Sequence, residues 1–137
     1  KELDEVPIGA CIVDKSGELL ATSFNQTIAK NDPTAHAEIL VIRKAGELVG
    51  NYRLTDMTVY TTIEPCVMCA GAIYWCGVGR VVFGMSVKRQ AELTGENTDI
   101  APLIECSEVI GKGSKNFLKV EGPMLQDEAE KVFSEDK

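Results

Sequence analysis

The sequence predicts a layered α/β domain whose later strands run parallel. Three observations carry that expectation. The chain has 137 residues, enough for one domain spanning 1–137 and awkward for two. Apolar residues make up 45% and charged residues 26%, an ordinary globular balance that excludes collagen-like and fully disordered chains. Apolar runs and helical segments alternate in the order strand, strand, helix, strand, helix, strand, which favours a sheet with helices packed on it.

Each element has a local reason. Pro7 to Asp14 is apolar with little alternation, as in a strand buried on both faces. Asp14-Lys15-Ser16-Gly17 is a turn, and Glu18 to Phe24 reads as its hairpin partner. Asn25-Gln26-Thr27 opens a loop that closes at Asn31-Asp32-Pro33-Thr34. Ala35 to about Gly46 reads as a helix, capped by Thr34 or Asp32, with Ile39, Leu40 and Ile42 as its apolar stripe. Met57 to Thr62 is β-branched and aromatic, hence a strand. Pro65 to Cys76 reads as a second helix with Pro65 at the tolerated first position, and Arg80 to Gly84 as another strand. Further on, Cys106 to Ile110 suits an edge strand, and Met124 to Phe133 a closing amphipathic helix.

Charge and cysteines narrow the function. Fourteen Lys and Arg against twenty-one Asp and Glu give a net charge of −7, which argues against a large phosphate footprint. No apolar run approaches the roughly 18 residues of a membrane span. The N-terminus lacks the apolar core of a signal peptide, and the chain reads as cytoplasmic. Five cysteines is an odd number, against a closed disulfide framework. Cys66-x-x-Cys69 therefore points first to metal or redox chemistry.

The only histidine, His36, lies in His36-Ala37-Glu38 on the first turn of one expected helix. Cys66 and Cys69 lie on the first turn of the other, three apart and so on one face. Zinc accepts two thiolates and an imidazole, and a catalytic site keeps its fourth position for water. Helix N-termini also stabilise thiolate charge. Glu38, two positions from His36, can face that water without ligating the ion. Zinc brings the pKa of its water to roughly 7, and a carboxylate can pass the proton to a leaving amine.

His-x-Glu followed by Pro-Cys-x-x-Cys is the signature of zinc nucleobase deaminases. The chain resembles the cytidine-deaminase-like superfamily, in the branch of tRNA adenosine deaminases, guanine deaminases and fungal-type cytosine deaminases. The resemblance runs from Val6-Pro7-Ile8-Gly9 to about Gly84. It is closest in Asn31-Asp32-Pro33-Thr34-Ala35-His36-Ala37-Glu38-Ile39 and in Glu64-Pro65-Cys66-Val67-Met68-Cys69-Ala70-Gly71-Ala72. It implies zinc on His36, Cys66 and Cys69, with Glu38 as proton shuttle. It implies base contacts from Asn25 and from the backbone N–H of Ala35. It further implies a three-layer α/β/α fold with a mixed five-stranded sheet, and a homodimer or higher homo-oligomer. The family has a helix before Val6, which Lys1 to Glu5 are too few to form.

Plainer roles compete with these. A structural zinc site would need Cys11, Cys76 or Cys106 as fourth ligand. Cys76 lies two turns beyond Cys69, about 10 Å along a helix, too far to share an ion. Cys11 and Cys106 suit small buried positions, and neither is excluded as a ligand. Tyr74-Trp75 resembles the guanine deaminases, so Trp75 either packs on the sheet or walls a flat base. Glu92, Glu96, Asp99 and Glu105 form a solvated acidic face or supply one acceptor to a ring N–H. After Gly84 the chain departs from the tRNA deaminases, and its tail is acidic. The expected substrate is thus a small free nucleobase such as guanine, isocytosine or cytosine. A tRNA adenosine is the alternative, and a zinc-stabilised binding protein the distant one.

Overall fold

In a computed structural model of the chain, residues 8–95, 104–111, 118–125 and 127–128 are described. Their strands are β1 (Gly9–Val13), β2 (Leu19–Phe24), β3 (Thr58–Ile63), β4 (Arg80–Met85) and β5 (Lys119–Glu121). They form one mixed sheet in the order β2-β1-β3-β4-β5. β1 is antiparallel to β2 and β3, whereas β3, β4 and β5 run parallel. The helices are α1 (Ala37–Val49), α2 (Val67–Cys76), α3 (Val87–Thr94) and α4 (Cys106–Gly111).

The β1–β2 hairpin turns where the Asp14 carboxylate accepts from the amides of Ser16 and Glu18, both at 2.9 Å. Gly17 takes the positive φ, 90°, that this turn requires. From β3, Val59, Thr61 and Ile63 pair in register with Val81, Phe83 and Met85 of β4, and all six are buried. Val59 and Val81 pack with Val41 and Ala45 of α1, Ala70 and Ile73 of α2, and Cys106 and Ile110 of α4. The alternate residues of the parallel strands are more exposed. There Arg80 bridges to Glu121 at 2.7 Å and lies 5.9 Å from the Tyr60 ring centre.

Several boundaries differ from expectation, each for a physical reason. α1 starts at Ala37 rather than Ala35, because His36 keeps an extended backbone, φ −75° and ψ 153°. It runs through Gly46 to Gly50, whose left-handed φ of 69° ends it. Neither Thr34 nor Asp32 caps it: Asp32 instead accepts from the amide and hydroxyl of Thr34, forming a turn upstream. Pro65 precedes α2 rather than occupying its first position, since Cys66 is extended and α2 opens at Val67. Cys106 to Ile110 is helical, not an edge strand. Its buried residues, Cys106 and Ile110, are four apart, which is a helical spacing. The edge strand is β5. The closing helix expected over Met124–Phe133 lies largely outside the described residues, as do residues 1–7. No helix among the described residues is long and apolar enough to cross a membrane.

Gly122, just after β5, has φ 154°, and a β-carbon there would lie 2.8 Å from three ring atoms of Phe83. Phe83 is 5% exposed and has little room to yield. Gly122→Ala should therefore cost about 1–3 kcal/mol, as overpacking does. Urea unfolding checks this, and an unchanged midpoint would show that the ring moves aside.

Candidate metal centre

α1 and α2 each begin with a residue of the His-Cys-Cys set. His36 and Cys66 occupy the positions just before the two helices, and Cys69 lies on the first turn of α2. The Nδ1 of His36 lies 3.7 Å from Cys66 Sγ and 3.5 Å from Cys69 Sγ. Ligand atoms of these three residues all fall within 4.8 Å of one another. That spacing suits three ligands around one ion held at about 2.0–2.3 Å.

The fourth ligand of a purely structural site, expected from one of the other cysteines, is not supplied among the described residues. Cys76 points its thiol at the Ile73 carbonyl, 3.3 Å away. Cys106 is fully buried, and burial pushes its thiol up to about 12. Cys11 is half-buried, and burial raises its thiol too. None of the three joins the His36, Cys66, Cys69 group.

Protonation within the group is strongly coupled. A hydrogen bond from the Cys69 thiol, helped by His36, brings Cys66 down to about 4. Cys69 is pushed the other way, because its proton is held by Cys66. The hydrogen bond to Cys66 also raises His36. One sulfur thus carries a negative charge at neutral pH, a form ready to bind a cation, and the second loses its proton on binding.

Glu38 is 4% exposed, and its Oε1 has no hydrogen-bond partner. An orphaned buried carboxylate oxygen is rare in a folded protein, where buried polar atoms are normally satisfied. Burial pushes the carboxyl up to about 7, with the Cys66 charge adding to the rise and His36 opposing it. The donor set and this unsatisfied oxygen together fit a zinc ion with a water beside it.

The other expected site residues divide. Asn25, 4% exposed, accepts the Ala37 amide on its Oδ1 at 3.0 Å. It thereby supplies the side-chain cap that His36 does not. Ala35 is fully buried, and its N–H donates to the Asp32 carbonyl at 3.1 Å. Trp75 corrects the expectation: it is 74% exposed and meets Tyr74 edge-on, centres 5.9 Å apart. The buried face of α2 carries Cys69, Ala70, Ile73 and Cys76. Trp75 lies on another face of α2 and so does not pack on the sheet. Of the acidic cluster, Glu105 pairs with Lys88 at 3.1 Å and Glu92 with Arg89 at 3.1 Å, while Glu96 and Asp99 lie outside the described residues. Metal-ligand spacing does not single out Glu64, a buried carboxylate two residues before Cys66. Its trace in the sequence is an acidic residue between an apolar strand and a proline.

The Glu38 carboxyl sets a pH test. Its folded value, about 7, lies above the unfolded one. The folded state therefore binds the extra proton between the two, and stability falls as pH rises from about 4 to about 7. Glutamine carries no such cost. In chelator-treated protein, Glu38→Gln should gain on the parent through that window and keep the gain above it, on the order of 1–3 kcal/mol. Urea titrations at pH 5 and pH 8 measure the difference, and a gain that does not vary with pH would refute the raised carboxyl.

Comparisons with known proteins agree with this geometry. Residues 1–85 match the family model for the cytidine and deoxycytidylate deaminase zinc-binding region. A tRNA-specific adenosine deaminase of Buchnera aphidicola is 37% identical over 98% of this chain and 82% of its own length. Two other relatives of that name are matched over about half of theirs, 49% and 52%. A probable cytosine deaminase of Schizosaccharomyces pombe is 36% identical over 90% of this chain and 74% of its own. The solved guanine deaminase of Nitrosomonas europaea superimposes with a TM-score of 0.81 at 26% identity, covering 96% of this chain and 73% of that one. With the sheet, the two helix-borne ligand sets and the buried Glu38 in place, the chain belongs to the cytidine and deoxycytidylate deaminase zinc-binding family.

Proposed function

We propose that this chain is a zinc-dependent hydrolytic deaminase whose substrate is an adenosine of transfer RNA, converted to inosine with release of ammonia. The observation that carries the substrate is the 37% identity, over 98% of the chain, to a tRNA-specific adenosine deaminase. His36, Cys66 and Cys69 would hold the zinc. When bound, zinc supplies a Lewis acid that makes a water nucleophilic near neutral pH. Glu38 moves the protons: its Oε1 takes one from the attacking water and gives it to a ring nitrogen, then takes the remaining proton of the added hydroxyl and gives it to the departing amine. Asn25, anchored to the start of α1, is the base-orienting side chain of this reading, since the Ala35 N–H is held by the Asp32 carbonyl.

A free nucleobase is the second reading. The net charge of −7 favours it, because a tRNA must be met by Lys and Arg on its phosphates. The superposition on a guanine deaminase favours it as well. In either reading the chain works as a homodimer. The support is an apolar face on α2 formed by Val67 (37% exposed), Met68 (37%) and Trp75 (74%). A second copy would cover it.

An anticodon stem-loop with a target adenosine and a panel of guanine, isocytosine and cytosine separate the readings. Inosine formation that falls steeply with salt is expected. Ammonia from a free base, with the RNA inert, would replace the first reading by the second. Glu38→Gln should retain zinc and lose about 10²–10⁴ in turnover. Normal turnover would remove Glu38 from the chemistry, and loss of zinc would make it structural. His36→Ala should lose the metal, which elemental analysis reads directly.

A further inference from the structure

Glu64 ends β3 and precedes the Pro65-Cys66 that opens the metal helix. It is 7% exposed. Its Oε1 accepts the Val87 amide, the first of α3, at 2.9 Å. Its Oε2 accepts the Cys106 amide, the first of α4, at 2.8 Å. Its own N–H donates to the Met85 carbonyl at 2.8 Å, continuing the β3–β4 pairing beyond the last residue of β3. One side chain therefore joins three segments that lie 23 and 42 residues apart in sequence.

A buried carboxylate is a costly way to join segments unless both oxygens are satisfied, and here both are. The two amides are helix-start donors with no partner inside their own helices, so the arrangement is reciprocal. A cavity of about 220 Å³ opens at this junction, lined by Glu64, Ser86, Glu105, Ser107, Gly122 and Pro123 among others. It lies at the carboxyl ends of β3, β4 and β5, the edge at which parallel sheets receive ligands. Glu64 lines it together with Ser86, just before α3, and Glu105 and Ser107 at the start of α4.

We propose that Glu64 is a positioning residue: it locks the starts of α3 and α4 against the metal-bearing joint, and so shapes a cavity that receives the part of the substrate remote from the reacting carbon. It touches neither the metal nor the reacting atoms, and it acts on substrate affinity rather than on metal binding. This rests on the deaminase reading but not on the choice between RNA and free base.

The full-length zinc protein tests it with Glu64→Gln and Glu64→Ala. Glutamine offers one acceptor oxygen and turns an NH₂ toward the second amide, so it should release one helix start and alanine both. Amide exchange at Val87 and Cys106, read by NMR, should quicken at one of them in Glu64→Gln and at both in Glu64→Ala. Zinc should stay at one per chain. With whichever substrate the parent deaminates, KM for Glu64→Gln should rise about tenfold while kcat changes by less than about threefold. If Glu64→Ala does not fold, the glutamine variant carries the test alone. Amides that stay protected in every variant that folds would overturn the clamp, and the exchange measurement needs no turnover. A KM unchanged while the amides exchange faster would reduce Glu64 to a folding role, and loss of zinc would make it a support of the metal site. Both results overturn the proposal. A parent that deaminates only a free base would change the substrate assignment and leave the exchange result intact.

Discussion

The parallel run of β2 and β3 governs the site. β1 lies between them and is antiparallel to both, so β2 and β3 end at the same edge of the sheet. α1 follows the loop after β2, and α2 follows β3, so both helices begin at that edge. Only this arrangement brings His36 to within 3.7 Å of Cys66, thirty residues further along the chain. Shifting the register of β1 by one residue would turn Ala10 and Ile12 out of the core and separate the two helix starts.

Given that geometry, the electrostatics follow from where the polar groups have been left. A helix start has unpaired amides, and the common remedy is a capping side chain at the preceding residue. Here that residue is His36, whose ring is engaged with the sulfurs. Asn25 takes over the capping from a loop twelve residues upstream. The ring is thus free of local duty and faces the two sulfurs. Glu38, one residue into the helix beyond Ala37, is carried by the same turn into a buried place where its Oε1 finds no donor. Desolvation raises that carboxyl, whereas the low thiol of Cys66 comes from the hydrogen bonds of Cys69 and His36, which outweigh its own desolvation.

The chain divides functionally near the end of β4. The family match ends at residue 85, and the metal ligands and Glu38 precede that point. Beyond it lie α3, α4 and β5; Ser86 before α3, Ser107 of α4 and Val120 of β5 line the cavity at the carboxyl edge of the sheet. The metal ligands with Glu38 and the lining of this cavity thus come largely from different halves. The Glu64 carboxylate and the β3–β4 pairing connect them. The apolar face of α2 is the counterpart on the outside: the helix that supplies two sulfurs inward also presents Trp75 outward.

By itself the sequence determined the α/β class, the four principal strands, and the metal set with its carboxylate. The reason is local. His-x-Glu and Pro-Cys-x-x-Cys fix spacing on helix turns, and β-branched runs such as Thr58-Val59-Tyr60 specify strands without reference to distant residues. Tertiary structure decided the rest. Cys106-Ser107-Glu108-Val109-Ile110 fits a strand or a helix equally over five residues, and packing of Cys106 and Ile110 against the core settles it as α4. Trp75 would be buried by hydrophobicity alone, yet α2 offers the sheet only the face with Cys69, Ala70, Ile73 and Cys76. Asn25 capping Ala37 and Glu64 joining α3 to α4 depend on partners 12, 23 and 42 residues away. Spacing along a chain carries no sign of such bonds, because the backbone between the partners can take many paths until the sheet fixes one.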